Sequence, residues 1–414
     1  MIAQGLAAAD PDAEQVLVEV LLTDHGAPGP YAGYRRLREQ APRLRTAAGL
    51  LVLSGYRDCE AALRDRALGK MDESLGFQLA AVPEDLRRQA LRRFRRTMLF
   101  RNPPDHTRLR RLVSSVFTPR HVEALRPAVV RRIAALLDGF AGRDVVDVVT
   151  ELALPLPVGV IGDLLGVPDV DLAVAAPWVR DLVAPLEPSA DVAAVEAAVR
   201  AEDQLAAYVG DLLVEKRRRP GDDLLSRLAT ARGEDQLDDD ECVGTAILLF
   251  AAGFETTTNL IGNGLTALLG APGQADLLRE RPGLAGSAVE ELLRFDAPVQ
   301  TDGRTALVDT VVADVEVAAG QVVLMLLGAG NRDPEVYTDP DTLDITRRQA
   351  APLSLGGGLH FCLGAPLARL EAVELFPRLL ARFPELAAAG PETWRPGLSF
   401  RGLAHLPVAP GRPA

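Results

Sequence analysis

Cys362 is the residue whose setting most directly suggests chemistry. It lies in the stretch GGGLHFCLGAP, residues 356–366. Gly356, Gly357, Gly358 and Gly364 strip side-chain bulk from the chain around it, so the backbone can approach something flat. Pro366 and the following LARLEAVELF read as a helix that begins just after the cysteine. A thiolate at that place is favoured by the helix dipole and by unpaired backbone N–H groups. Zinc fits poorly, because no second Cys or His stands at finger-like spacing and His360 alone does not complete a site. A nucleophile served by a distant His base and a small buried apolar side chain both stay open on the residues alone. A lone thiolate before a helix, in a cleared backbone, best suits the axial position on a haem iron.

Three other settings carry charge where charge needs a reason. Between positions 242 and 275 the only charged residue is Glu255, and a lone carboxylate in a long uncharged helix is costly unless it has partners or work. In NPPDHTRLRRLV, His106 and Arg110 stand four apart on one helical face, with Asn102 as the expected cap, and two such donors can hold a carboxylate pair. In EELLR, Glu291 and Arg294 share a face three apart. Each also has an ordinary reading: a water-facing acid, a solvated basic helix, a surface ion pair.

Taken together, these stretches resemble the cytochrome P-450 family. LGGGLHFCLGAPLAR resembles its haem-binding loop, F-G-x-G-x-H-x-C-x-G. Gly356, Gly358, His360, Cys362 and Gly364 match, and Leu355 stands where Phe is usual. AAGFETTTN, residues 251–259, resembles the A-G-x-[DE]-T motif of the family's long central I-helix. EELLR resembles its E-x-x-R element, and DPDTLDITR the segment that completes that cluster, with Arg347 as third member and Leu343 in place of a usual Phe. His106 and Arg110 match the family's H-x-x-x-R.

The resemblance spans about residues 102–368. It implies Cys362 as axial iron ligand, and His106, Arg110, Arg304 and His360 as holders of the propionates of haem b (iron protoporphyrin IX). It implies that Ala252 opens a groove over the haem, that Thr256 steadies the oxygen being activated, and that Glu255 relays protons from solvent. Glu291, Arg294 and Arg347 would form a buried ion-pair cluster. The substrate pocket would draw on Leu248, Leu249, Ala252, Val299, Gln300, Thr301 and Phe400, and on the loop around 71–82.

The elements that must position these residues are mostly helical. From Tyr34 to about Gly286 the apolar periodicity is that of helices, and a helix over 241–269, at about 1.5 Å per residue, is long enough to cross the molecule. Strand-like segments come late: RTALVDTVVADVEV, QVVLMLLG and HLPVAP. The expected fold class is therefore mainly α with a minor β part, a single P-450-type domain over 31–414 after a loose arm at 1–30. The 414 residues, 48% apolar and 25% charged, suffice for a large core. A net charge of −12 argues against nucleic acid. The strongly apolar run 242–254 is short for a membrane span, and the N-terminus lacks a basic-then-apolar leader. Three scattered cysteines do not make a disulfide framework, so the expected compartment is the cytoplasm; the expected state is a monomer.

The function expected from the resemblance is a haem-thiolate monooxygenase of soluble bacterial type. It would insert one atom of O2, by hydroxylation or epoxidation, into an apolar small molecule, a secondary-metabolite intermediate such as a macrolide. Electrons would come from a separate ferredoxin and ferredoxin reductase. The arginine-rich segment 87–120 offers a basic dock for such an acidic donor. The alternatives are a peroxide-driven haem enzyme and a non-catalytic haem sensor or carrier. The Glu255–Thr256 pair argues against both.

Overall fold

A computed structural model describes residues 10–23, 25–70, 82–231 and 237–414. Its organising element is the helix Asp239–Leu269, 31 residues long, which starts in a capping box between Asp238 and Glu241. Most of its residues are buried, because it runs through the interior and is packed on several sides by Pro155–Leu165, Val192–Arg218, Ala285–Phe295 and Ala365–Arg382. Small residues let those neighbours come close. A Cβ on Gly264 would stand 2.8 Å from the Phe376 ring and 3.1 Å from Leu292, on two of those helices. Among the described residues, no helix is long and apolar enough to cross a membrane.

The β part is a five-stranded sheet in the order Arg43–Arg45, Leu51–Leu53, Val322–Leu326, Thr301–Ala306, Leu68–Gly69. Thr301–Ala306 runs antiparallel to the central strand Val322–Leu326 with Arg304 opposite Val323, which fixes Arg304 in the sheet. The late strand signals hold: Thr301–Ala306, Thr310–Val312, Val315–Val317, Val322–Leu326, Leu403–His405 and Pro407–Ala409 all form.

Two expectations change. The early half is not free of strands, since Arg43–Arg45, Leu51–Leu53 and Leu68–Gly69 build one side and one edge of the sheet. They are two or three residues long, below what a period-2 pattern reveals, and Leu51–Leu53 pairs in parallel with a strand some 270 positions away. The described part of the arm is not loose either. Pro11–Leu22 is a helix capped by Asp10, and its Ala13, Val16, Leu17 and Val20 are buried against Tyr34, Leu37 and Leu44. The apolar face was present in the sequence, but the Gly and Pro cluster after it masked the element.

Candidate active site

Two short turns, Leu353–Leu355 and Gly358–His360, lead into the helix Ala365–Arg382 and present Cys362 between them. The Cys362 N–H donates to the Leu355 carbonyl at 2.9 Å. Gly358 is left-handed (φ +60°), and a Cβ there would sit 2.5 Å from the Leu63 carbonyl oxygen, so glycine is required twice over. Arg110, from the helix Asp105–Ser114, donates to the Leu359 and Phe361 carbonyls at 2.9 and 2.7 Å and so fixes the segment just before the cysteine. Cys362 keeps some exposed surface, but that surface faces an internal cavity rather than bulk water. Burial pushes its thiol up, while the N–H groups of Gly364 and Ala365 and the charges of Arg110 and Arg369 pull the other way.

One end of the cavity is crowded with cations. Arg304 is buried and donates to Asp302 at 2.7 Å. Lys70 reaches the same carboxylate at 2.5 Å and the Gly303 carbonyl at 2.8 Å. The rings of His106 and His360 lie 4.6 Å apart, centroid to centroid. Burial, with Arg304 and Lys70 beside it, pushes His360 down to about 3. Burial, with Arg110 and Arg304, lowers His106 as well. Lys70 falls to about 8 for the same reasons, burial first and Arg304 second. Burial works against the Asp302 anion, but Arg304 and Lys70 outweigh it and hold its carboxyl below the usual range.

A single acid, Asp302, thus faces the buried donors Arg304 and Lys70, with His360 beside them. Buried cations in excess of their acid call for an anionic ligand. A flat group carrying two carboxylates fits this end, and the cleared cysteine loop fits its metal. His106 itself stands behind the cavity wall, against His360. Asn102 does not cap the helix Asp105–Ser114; it clasps the Lys70 backbone instead, accepting from its N–H at 2.9 Å and donating to its carbonyl at 2.7 Å.

The long helix forms another wall. Ala252, Gly253, Glu255 and Thr256 all line the cavity. The Thr256 hydroxyl donates to the Ala252 carbonyl at 3.1 Å, which leaves its oxygen lone pairs for a ligand. Glu255 is only 4% exposed and is ion-paired with Arg395, which also bonds the Asn259 side chain. The carboxylate does not itself reach solvent, since Arg395, 23% exposed, stands between it and the surface. Arg395 lies 140 positions downstream and carries no local signal of this role.

The cavity, about 370 Å³, is lined by Leu248, Leu249, Ala252, Val299, Thr301 and Phe400 among others, within the range for small-molecule sites. Gln300 is a correction. It turns inward, accepting from Tyr34 at 3.0 Å and donating to the Ala297 carbonyl at 2.8 Å, because strand alternation points it away from its neighbours. The loop around 71–82 lies outside the described residues, apart from Val82, which packs with Ala90 and Val195. Glu371, unremarked in the sequence, lines the cavity fully buried, with its Oε2 unpartnered, and burial pushes its carboxyl well up.

Glu291, Arg294 and Arg347 come together as a buried cluster. Arg294 makes a two-pronged bond to Glu291 at 2.7 and 2.8 Å, and Arg347 adds bonds at 3.1 and 3.2 Å. Arg294 also ties the Asn331 and Pro340 carbonyls at 2.9 and 2.8 Å, which fixes the segment leading to the cysteine loop. The segment 87–120 is a less open basic face than its composition implies. Arg92 and Arg93 pair with Asp203, Arg96 with Asp238 and Asp240, and Arg108 with Glu241.

A cytochrome P450 family profile matches residues 283–391. The chain is 41% identical to cytochrome P450 107B1 of Saccharopolyspora erythraea, over 91% of its own length and 94% of that protein's. It is 38% identical to the 6-deoxyerythronolide B hydroxylase of the same organism, over 91% and 95%. Among solved structures, P450BioI in complex with an acyl carrier protein ligated to hexadec-9Z-enoic acid aligns with a TM-score of 0.85 at 36% identity, covering 92% of this chain and 98% of that one. The chain therefore belongs to the cytochrome P450 family, and is a P450 monooxygenase with the mainly α fold of that family.

Proposed function

We propose that this monooxygenase hydroxylates or epoxidises an apolar natural-product intermediate of the macrolide kind, at a haem b held by the residues above. The observation that carries the reading is that Cys362, Thr256, Arg304 and the apolar Leu248, Leu249 and Val299 all line one cavity. The name of the relative that hydroxylates 6-deoxyerythronolide B supports the substrate class.

Cys362 would ligate the iron, and Arg110, Arg304 and His360 would bind the propionates, with Lys70 added to the expected set and His106 backing His360 rather than facing the cavity. When bound, the haem supplies dioxygen binding and O–O cleavage, which thiolate donation favours. The chain supplies placement and protons. Leu248, Leu249, Val299 and Phe400 exclude water and hold an apolar substrate. Ala252 leaves room beside Thr256, whose oxygen orders a water in the groove. Glu255 feeds that water with protons, and Arg395 holds the Glu255 carboxylate in place through their ion pair.

Electrons would come from a ferredoxin and its reductase, and the protein would work as a cytoplasmic monomer. The arginine pairing just described narrows any donor dock to fewer residues than the whole segment. The test is oxygen-dependent NAD(P)H turnover with surrogate redox partners, followed by peroxide alone. Oxygen-dependent product formation supports the reading, whereas product with peroxide only would overturn the electron-transfer half of it. A substrate screen by the spin-state shift of the ferric haem tests the substrate half.

A further inference from the structure

The turn between the helices Asp169–Val183 and Val192–Arg218 carries Glu187, which no part of the chemistry above uses. Its carboxylate accepts three consecutive backbone N–H groups of a distant loop: Oε2 from Leu398 at 2.8 Å and Ser399 at 2.7 Å, and Oε1 from Phe400 at 2.9 Å. Successive N–H groups aimed at one point form an anion nest, and here the anion belongs to the chain itself. Gly397 opens the nest in a left-handed conformation (φ +113°), and a Cβ there would stand 2.7 Å from the Glu187 carboxyl carbon. The loop is built around this carboxylate.

Both partners border the cavity. Val183 and Leu186, just before Glu187, line it on one side, and Ser399 and Phe400 line it on another. The loop's other edge is already fixed to the sheet. Gln300 N–H donates to the Ser399 carbonyl at 3.0 Å, and the Ser399 and Thr301 hydroxyls are 3.2 Å apart. Glu187 therefore joins the sheet-anchored wall to the interhelical wall. Burial pushes its carboxyl up, against the three N–H groups and the nearby Arg395.

We propose that Glu187 is a positioning residue that sets the size selectivity of the cavity, by tying the Phe400 loop to the wall formed by Val183 and Leu186. The inference rests on reading that cavity as the substrate site. The carboxylate offers acceptors for all three N–H groups at once. An amide of the same shape has one acceptor oxygen and turns its NH2 on the remaining donors, so the loop loosens and Phe400 yields to bulky ligands.

The experiment uses the holoenzyme with two haem-binding nitrogen ligands, imidazole and clotrimazole, each followed by stopped-flow absorbance. In Glu187→Gln, clotrimazole should associate about tenfold faster, the scale of one lost charge-assisted hydrogen bond, with imidazole unchanged. The effect should vanish in Phe400→Ala, where Glu187 has nothing to position, and Glu187→Asp, which keeps the charge but shortens the reach, should fall between. A matching melting temperature establishes that the variants fold; if Glu187→Gln does not, the Asp variant carries the comparison. Equal acceleration of both ligands, or a Glu187→Gln effect that persists without Phe400, overturns the proposal. Failure of imidazole to shift the wild-type Soret band overturns the reading of the cavity beneath it, a separate outcome.

Discussion

Glu255 and Arg395 form an ion pair across 140 positions of sequence, with the carboxylate 4% exposed inside the long helix and the guanidinium partly at the surface. The lone charge of the stretch 242–275 is therefore neither orphaned nor solvated. Removing the cation leaves a buried carboxylate uncompensated. Arg395→Met should lower the unfolding free energy of the holoenzyme by about 1.5–3 kcal/mol, the cost of a lost bond to a charged group, and should slow turnover. Arg395→Lys should recover part of both. Denaturant melts and turnover measured on the same preparations check this, and an unchanged melt would remove the ion pair from the account.

Thr256 and Glu255 separate by what fails when each is changed. Thr256→Ala should keep haem and substrate binding but uncouple the reaction, so that NAD(P)H is consumed, product falls and hydrogen peroxide rises. Glu255→Gln should slow turnover, within the about 10²–10⁴-fold range of a general acid, and change the solvent isotope effect. Product, peroxide and NAD(P)H are measured together. Full coupling in Thr256→Ala would show that a substrate hydroxyl or another group orders the water.

The cation cluster should govern how tightly haem is held. Arg304→Ala removes a buried guanidinium shared with Asp302 and should speed haem transfer to apomyoglobin by about 10–100-fold, equivalent to about 1.5–3 kcal/mol. Lys70→Met should act in the same direction. Wild-type release rates in both variants would contradict the propionate assignment.

Glu371 gives a pH signature. Burial raises its carboxyl well above the ordinary range, so the folded protein holds a proton that the unfolded chain releases. Its contribution to stability is then fully present below the unfolded carboxyl pKa and is lost as pH rises toward the folded one. Glu371→Gln should be more stable than wild type at neutral pH, with the difference growing by up to about 1.4 kcal/mol for each pH unit of that window and absent at acid pH. Thermal melts from acid to neutral pH read it, and a pH-independent difference would show that Glu371 is charged or paired when folded.

Much of this site was legible because its residues sit in short contiguous stretches whose spacing survives folding: the Cys362 loop, the His106–Arg110 face, Glu291 with Arg294. The mainly helical class followed from periodicity for the same reason. What stayed hidden depends on contacts between distant segments. Arg395, Lys70 and Glu371 have unremarkable neighbours in sequence and acquire meaning only where the chain brings Lys70 and Glu371 to the cavity and Arg395 to Glu255. Gln300 was misplaced by a single step of strand alternation. The basic run 87–120 advertised an open face, yet Asp203, Asp238, Asp240 and Glu241 arrive from other helices to pair with it.

The central claim is that Cys362 is the proximal thiolate. The most direct measurement is the spectrum of the reduced, carbon-monoxide-bound holoprotein, wild type against Cys362→Ser. The account predicts the strongly red-shifted Soret band of thiolate-ligated haem in the wild type and its loss in the serine variant. Retention of that band without Cys362, or its absence from the fully loaded wild type, would contradict it.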